Sequence, residues 1–230
     1  MTPKKALILS NLSVGYSPDS CLINSATIQA YEGDLIAIMG LNGSGKTTLI
    51  KTLLNELPAI SGEIELGLSG AKTHDIFSVV FTERISIYGF TVLDMIAQGR
   101  APYTNMFGKL YSKDKEIVQQ YLIALNLEGI ANQQINSLSD GQFQKVMIAK
   151  ALAQETPVLL LDEPTAFLDV KNKRMIHKLL ADLAQNQNKT ILVSTHDVSF
   201  CNDYCNKAWV IESETLSEKK SKEITESYFD

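Results

Sequence analysis

No uninterrupted apolar run in the 230 residues reaches the length of a bilayer crossing, so the sequence argues against a membrane-spanning helix. Basic clusters are equally scarce. Lysine and arginine number 21 against 26 acidic residues, the formal net charge is −5, and no Lys/Arg patch stands out. A non-specific electrostatic grip on nucleic acid is therefore not expected. Cys21, Cys201 and Cys205 are too few for a disulfide framework, and the Cys201/Cys205 pair lacks the further ligands of a structural zinc. All three are expected as buried, reduced thiols. Internal repeats and low-complexity segments are absent too. The opening MTPKKALILS runs straight into a strand-like pattern, with no basic segment followed by an apolar one, so export is not indicated and a cytosolic location follows by default.

What is present suffices for a sizeable core. With 45% apolar and 20% charged residues, the chain reads as one α/β domain or as a core with a smaller helical insert. Residues 6–16 and 22–31 read as strands joined by the turn-forming SPDS, an antiparallel hairpin. Residues 47–56 read as a helix, 63–66 as a short strand and 77–81 (FSVVF) as a buried strand. From Thr91 to Leu138 the pattern turns helical, with Thr91 and Ser112 as N-cap candidates. Ser139 opens a further helical run to Gln154. Then come strand 158–161, helix 169–185, strand 190–195 and a last strand, 207–211. The charged stretch 214–230 has few apolar anchors and is expected as a solvated helix or frayed end.

The most informative segment is GLNGSGKTT, Gly40 to Thr48, set between the apolar run DLIAIM and a helix-like stretch. A strand feeding a glycine-rich turn and then a helix lets backbone N–H groups converge on phosphates, aided by the helix dipole. Gly40, Gly43 and Gly45 permit the close approach, Lys46 can reach the β and γ phosphates, and the Thr47 hydroxyl can ligate Mg²⁺. Leu41, Asn42, Ser44 and Thr48 complete the loop. A nucleoside triphosphate is thus expected. Asp162-Glu163, closing the run VLLL, sits where the carboxyl ends of parallel strands face the same crevice. Asp162 is expected to hold Mg²⁺ through water. Glu163, one residue further, is placed to act as general base on the attacking water.

These motifs, taken in order, resemble the nucleotide-binding subunit of ATP-binding cassette (ABC) transporters over nearly the whole chain. LSDGQ, Leu138 to Gln142, resembles the family signature; Phe167-Leu168-Asp169 resembles its D-loop; His196 follows ILVST as the switch histidine does. The resemblance implies an α/β P-loop NTPase core with a parallel sheet, an N-terminal antiparallel β subdomain and a helical insert at about 91–155. The ATP-binding domain then spans 1–213 and a charged tail 214–230. It implies that Ser139 and Gly141 receive the γ-phosphate of an ATP held by the opposing subunit, although Ser139 is by chemistry also an ordinary N-cap. Tyr16 resembles the aromatic that stacks on adenine, whereas a tyrosine at a hairpin end could equally be packing. His196 by itself could be a core histidine, its place after a buried strand favouring the crevice rim.

Two positions depart from the family pattern. Glu83 aligns with the Q-loop glutamine and would offer Mg²⁺ a hard oxygen ligand while adding negative charge. Asp140 replaces the middle glycine of the signature, tolerable because Asp enters turn conformations. The stretch TVLDMIAQGRAPYTNMFG resembles ATPases that power uptake of iron-siderophore, haem and cobalamin complexes, TV, GR and PY recurring at this spacing. The expected protein is an ATP-hydrolysing, Mg²⁺-using head-to-tail homodimer bound peripherally to transmembrane permease subunits at the cytoplasmic side of the inner (plasma) membrane. A substrate-binding protein would be an indirect partner. The competing expectations are a soluble cassette ATPase without a permease, acting in assembly or translation, and an ATP-gated dimerisation module with weak turnover.

Overall fold

The computed structural model describes residues 4–67, 72–84 and 86–226. In chain order the elements begin β1 (Lys5–Ser17), β2 (Ser20–Tyr31), β3 (Leu35–Gly40), α1 (Lys46–Leu53), β4 (Ser61–Leu66), α2 (Thr73–Ile76) and β5 (Phe77–Val80). Helices α3 (Val92–Gln98), α4 (Ser112–Ala124) and α5 (Asp140–Ala153) follow. The chain ends with β6 (Val158–Asp162), α6 (Val170–Gln187), β7 (Thr190–Ser194), α7 (Val198–Tyr204), β8 (Lys207–Glu212) and β9 (Thr215–Lys220). These elements form two compact units, one built from residues 1–77, 157–163 and 177–230, the other from 78–156 and 164–176. Among the described residues no helix is long and apolar enough to cross a membrane.

In the first unit, β1 and β2 form the expected antiparallel hairpin, closed at Ser17 and Ser20 around Pro18-Asp19, and β4 flanks the other side of β1. Strands β3, β6 and β7 are buried along their whole length, the pattern of strands covered on both faces of a parallel sheet. Pairing is parallel between β6 and β7, β7 and β3, and β3 and β8. That register aligns the carboxyl ends of β3, β6 and β7 at one edge, where the phosphate loop begins. Helix α1 stops at Leu53, earlier than the sequence suggests, because Asn55 turns left-handed at φ 59°.

Residues 214–220 depart most from expectation. They form no solvated helix or frayed end: β9 pairs antiparallel with β8 through a tight turn in which Ser213 and Glu214 both have positive φ. Leu216 and Ile224 are buried, and Ser221 Oγ donates to the Cys205 carbonyl at 2.7 Å. Charge misleads here, since an edge strand carries charged side chains as protection against further pairing. Cys201 and Cys205 are buried, whereas Cys21 is only half-buried, its thiol donating to the Ile23 carbonyl at 3.1 Å.

The second unit holds α3, α4 and α5. Thr91 caps α3, its hydroxyl accepting from the Asp94 N–H. At α4 the cap falls one residue before the expected Ser112, on Tyr111, because the Asp114 carboxylate accepts the Tyr111 N–H at 2.9 Å. The GR and PY residues are explained by packing within this unit. A Cβ on Gly99 would lie 2.2 Å from the Lys150 carbonyl, so only glycine lets α3 and α5 approach this closely. Arg100 is buried and bonds Asp114 at 3.0 Å, Glu155 at 2.7 Å and the Ala153 carbonyl at 2.7 Å, with its guanidinium 3.9 Å from the Tyr103 ring centroid. The Tyr111 N–H holds the Asp114 carboxyl below the usual carboxylate range against the opposing effect of burial, and Arg100 adds to that. Arg100→Ala strands the buried Asp114 carboxylate without its cation. The expected loss is about 3–5 kcal/mol, read by urea unfolding; a loss under about 1 kcal/mol would show the pair to be dispensable.

Candidate functional site

The phosphate loop owes its shape to the end of β3. A Cβ on Gly40 would lie 2.6 Å from Ser44 Oγ and 2.8 Å from the Ile211 carbonyl, so the loop turns back over its own strand only because the position is bare. Gly45, at φ 109°, makes the entry into α1. The first turn of that helix leaves backbone N–H groups without helical partners, a ready anion site. Lys46 is buried, and its Nζ donates to the carbonyls of Gly40 at 2.8 Å and Leu41 at 3.1 Å. Burial lowers the Lys46 pKa, and the nearby Glu163 and Asp162 carboxylates oppose that shift. Ser44 Oγ is buried with no hydrogen-bond partner among the described residues. A buried hydroxyl left over in a loop of this chemistry fits an acceptor supplied by phosphate.

The carboxylates come from the neighbouring strands. Asp162 closes β6 and stands opposite Ser194 in register with β7. Its Oδ2 accepts the Thr47 hydroxyl at 2.7 Å and its Oδ1 accepts the Ser194 hydroxyl, so a hydroxyl and a carboxylate lie side by side as hard oxygen donors. Among the described residues no group of three or more His, Cys, Asp and Glu could hold a metal by protein ligands alone. A hydroxyl and a carboxylate 2.7 Å apart fit the chemistry of Mg²⁺, which takes few protein ligands and completes its shell with water and substrate phosphates.

Glu163 has φ 45°, an uncommon conformation for a side-chain-bearing residue, held by its N–H donating to Ser194 O at 3.1 Å and facing Ser194 Oγ at 3.0 Å. That turn carries its carboxylate out of the strand direction, and Oε1 lies 2.9 Å from His196 Nε2. Both side chains are about a third exposed, so His196 sits on the rim and not in the core. Tyr16 is 72% exposed, which removes the packing alternative, and it lines a cleft of about 350 Å³ with Gly43, Lys46, Thr47, Thr48 and Glu163.

The second unit carries the remaining sequence-predicted residues. Ser139 caps α5 reciprocally: its Oγ accepts the Gln142 N–H at 3.3 Å and the Gln142 side chain accepts the Ser139 N–H at 3.0 Å. A Cβ on Gly141 would stand 3.0 Å from the Phe167 carbonyl. Ser139 and Gly141 share an open cleft of about 450 Å³ with Lys145, Asp169 and Asn172. Burial lowers the Lys145 pKa and Asp169 counters it. Glu83 lies exposed after β5. The first unit thus gathers Tyr16, the phosphate loop, Asp162, Glu163 and His196, and the second holds Glu83, Ser139 and Gly141. Sequence reasoning passed over Ser194, Lys145 and Arg84. Only Ser194 left a trace, as a hydroxyl ending the apolar run ILV.

Comparison with known proteins agrees with this chemistry. The ABC transporter family model matches residues 23–166. The chain is 35% identical over 223 residues to the molybdate import ATP-binding protein MolC of Haemophilus influenzae, covering 97% of this chain and 85% of that one. It is 30% identical over 230 residues to the petrobactin import ATP-binding protein FpuD of Bacillus anthracis, covering 97% and 84%. Among solved structures it is similar to an ABC transporter assigned to the metal-chelate type, in an inward-facing conformation, with TM-score 0.83, 34% identity and coverage of 96% and 85%. It is also similar to the dimeric ATP-binding cassette MJ0796 in a post-hydrolysis state with ADP and Pi, with TM-score 0.80, 26% identity and coverage of 94% and 98%. With a buried lysine, a threonine hydroxyl and a glutamate lining one cleft, and with the family model matching most of its length, this chain belongs to the ABC transporter family, in which it is an ATP-binding and ATP-hydrolysing subunit.

Proposed function

We propose that this chain hydrolyses ATP as one half of a head-to-tail homodimer and thereby drives uptake of a chelated metal, an iron–siderophore complex in the first instance, through a membrane permease. The observation that carries the hydrolytic part is the Glu163–His196 pair at 2.9 Å, with Glu163 lining the cleft that contains Lys46 and Thr47. Glu163 takes the proton of the attacking water, and His196 Nε2, donating to Oε1, keeps the carboxylate aimed. Tyr16 offers its exposed ring to the adenine, and Gly40 to Thr48 surround the phosphates. Mg²⁺ would be held by Thr47 and Asp162, and when bound it would neutralise charge on the β and γ phosphates. Ser139 and Gly141 serve the ATP of the partner protomer.

The dimeric cassette among the structural relatives supports the two-copy arrangement. The molybdate and petrobactin relatives and the metal-chelate transporter support uptake of a metal species. Haem and cobalamin belong to the same reading of the segment 91–108. Through the permease, the protein sits peripherally at the cytoplasmic face of the inner (plasma) membrane, and a substrate-binding protein delivers the cargo. In nanodiscs holding the chain and its co-encoded permease, a binding protein loaded with ferric siderophore is expected to raise phosphate release several-fold over the unloaded protein. Stimulation by molybdate instead would move the substrate class, and no stimulation by any cargo would remove the importer reading.

Ser194→Ala provides a second check on the base. It removes the hydroxyl that donates to Asp162 and faces the Glu163 N–H. The expected result is a fall in kcat of about tenfold with KM for ATP nearly unchanged, since what is lost is aim and not contact with nucleotide. A KM increase with constant kcat would place Ser194 in nucleotide binding.

A further inference from the structure

Asp140 poses a physical problem for the function just proposed. It is the first residue of α5, between Ser139 and Gly141, the two residues read as receiving a phosphate. A carboxylate at a helix N-terminus favours the helix dipole but repels an anion docking on the same turn. Arg84, one residue after Glu83, addresses this. Its Nη1 lies 2.6 Å from Asp140 Oδ1, its Nη2 donates to the Leu138 carbonyl at 3.0 Å, and its guanidinium stands 5.1 Å from the Phe143 ring centroid. One side chain thus grips the residues on both sides of Ser139. Close by, the Ile87 N–H donates to Asn136 Oδ1 at 3.2 Å, so this stretch is bonded to the approach of α5 at a second point.

We propose that Arg84 is a positioning residue that cancels the Asp140 carboxylate, so that the turn from Ser139 to Gly141 can accept the partner protomer's γ-phosphate. The inference rests on the head-to-tail reading above. Asp140 and Arg84 are the departure and its remedy: the signature tolerates a negative charge here because a guanidinium from the segment after β5 neutralises it. The pair is 36% and 60% exposed, so it adds little to fold stability, and its weight falls on the approach of a multiply charged ligand.

The test uses the full chain in a Glu163→Gln background, where hydrolysis does not consume the complex, and reads by sedimentation the ATP concentration at half-maximal dimer. Arg84→Ala is expected to raise that concentration about five- to tenfold, and Asp140→Asn, which leaves the guanidinium unopposed, to lower it about two- to fivefold. The double variant is expected to return to within about twofold of its parent. The Arg84→Ala effect should shrink at about 0.5 M salt, where the screening length is a few ångströms. Without the background change, KM for ATP should move in the same directions while kcat stays nearly constant. If both single variants weaken dimerisation and the double variant is no better, Arg84 is a mechanical staple and the charge argument is overturned. Ser139→Leu separates this failure from that of the parent reading: loss of dimer keeps the head-to-tail arrangement, and an unaffected dimer overturns both.

Discussion

Glu163→Gln is expected to cut steady-state phosphate release by about 10²–10³-fold while ATP affinity stays within about twofold. Glutamine keeps the shape of the side chain but cannot take a proton, so the variant removes the base and leaves the cleft. Its amide can still meet His196 and the backbone turn at φ 45° is unchanged, which is why binding should survive. ATP-bound dimer should then accumulate, visible as a shift from monomer to dimer on addition of ATP and magnesium. Unchanged turnover would take Glu163 out of the base role, and loss of binding together with turnover would place it among the nucleotide contacts.

Lys46→Ala is expected to abolish measurable nucleotide binding, a loss of at least about 100-fold. Lys46 can reach both the β and the γ phosphate; each charge-assisted hydrogen bond contributes roughly 1.5–3 kcal/mol and each 1.4 kcal/mol is tenfold in affinity, so losing both costs at least about 100-fold. Lys46 also ties the carbonyls of Gly40 and Leu41 together, so the variant loosens the loop that shapes the anion site. Thermal unfolding without nucleotide separates the two effects. A melting temperature near that of the parent, with titration calorimetry silent for ATP, assigns the loss to the phosphate contact. Retained binding would argue against the phosphate-loop assignment.

The segment that suggested a siderophore-type substrate is a lesson in reading likeness. Gly99 is required by the close approach of α3 to α5, Arg100 by the buried Asp114, and Tyr103 by its bond to the Gln154 carbonyl at 2.9 Å. Residues that recur for such reasons report how the helical unit packs, whichever cargo passes elsewhere. The relatives accord with that, since molybdate and petrobactin importers resemble the chain over similar lengths.

Much of the rest was legible because the chemistry is local in sequence. Strand, glycine turn, lysine and helix occupy one continuous segment, and a phosphate loop works through consecutive backbone groups, so nine residues suffice to announce it. The hairpin, the buried parallel strands and the caps at Thr91 and Ser139 follow equally from periodicity and short-range hydrogen bonding. Less legible were elements whose state depends on what lies beside them. Residues 215–220 became a strand because β8 offered an unpaired edge, and Tyr111 displaced Ser112 as a cap because Asp114 bonds its N–H.

The amino-acid order alone determined the triphosphate chemistry and the α/β class, because each depends on residue type at short spacing. Only the tertiary structure decided that Ser194 braces Asp162 and Glu163 from 32 and 31 residues away, and that Arg84 meets Asp140 across 56. Side chains so far apart in the chain are joined by strand register and helix packing, and neither is written in the spacing of any motif.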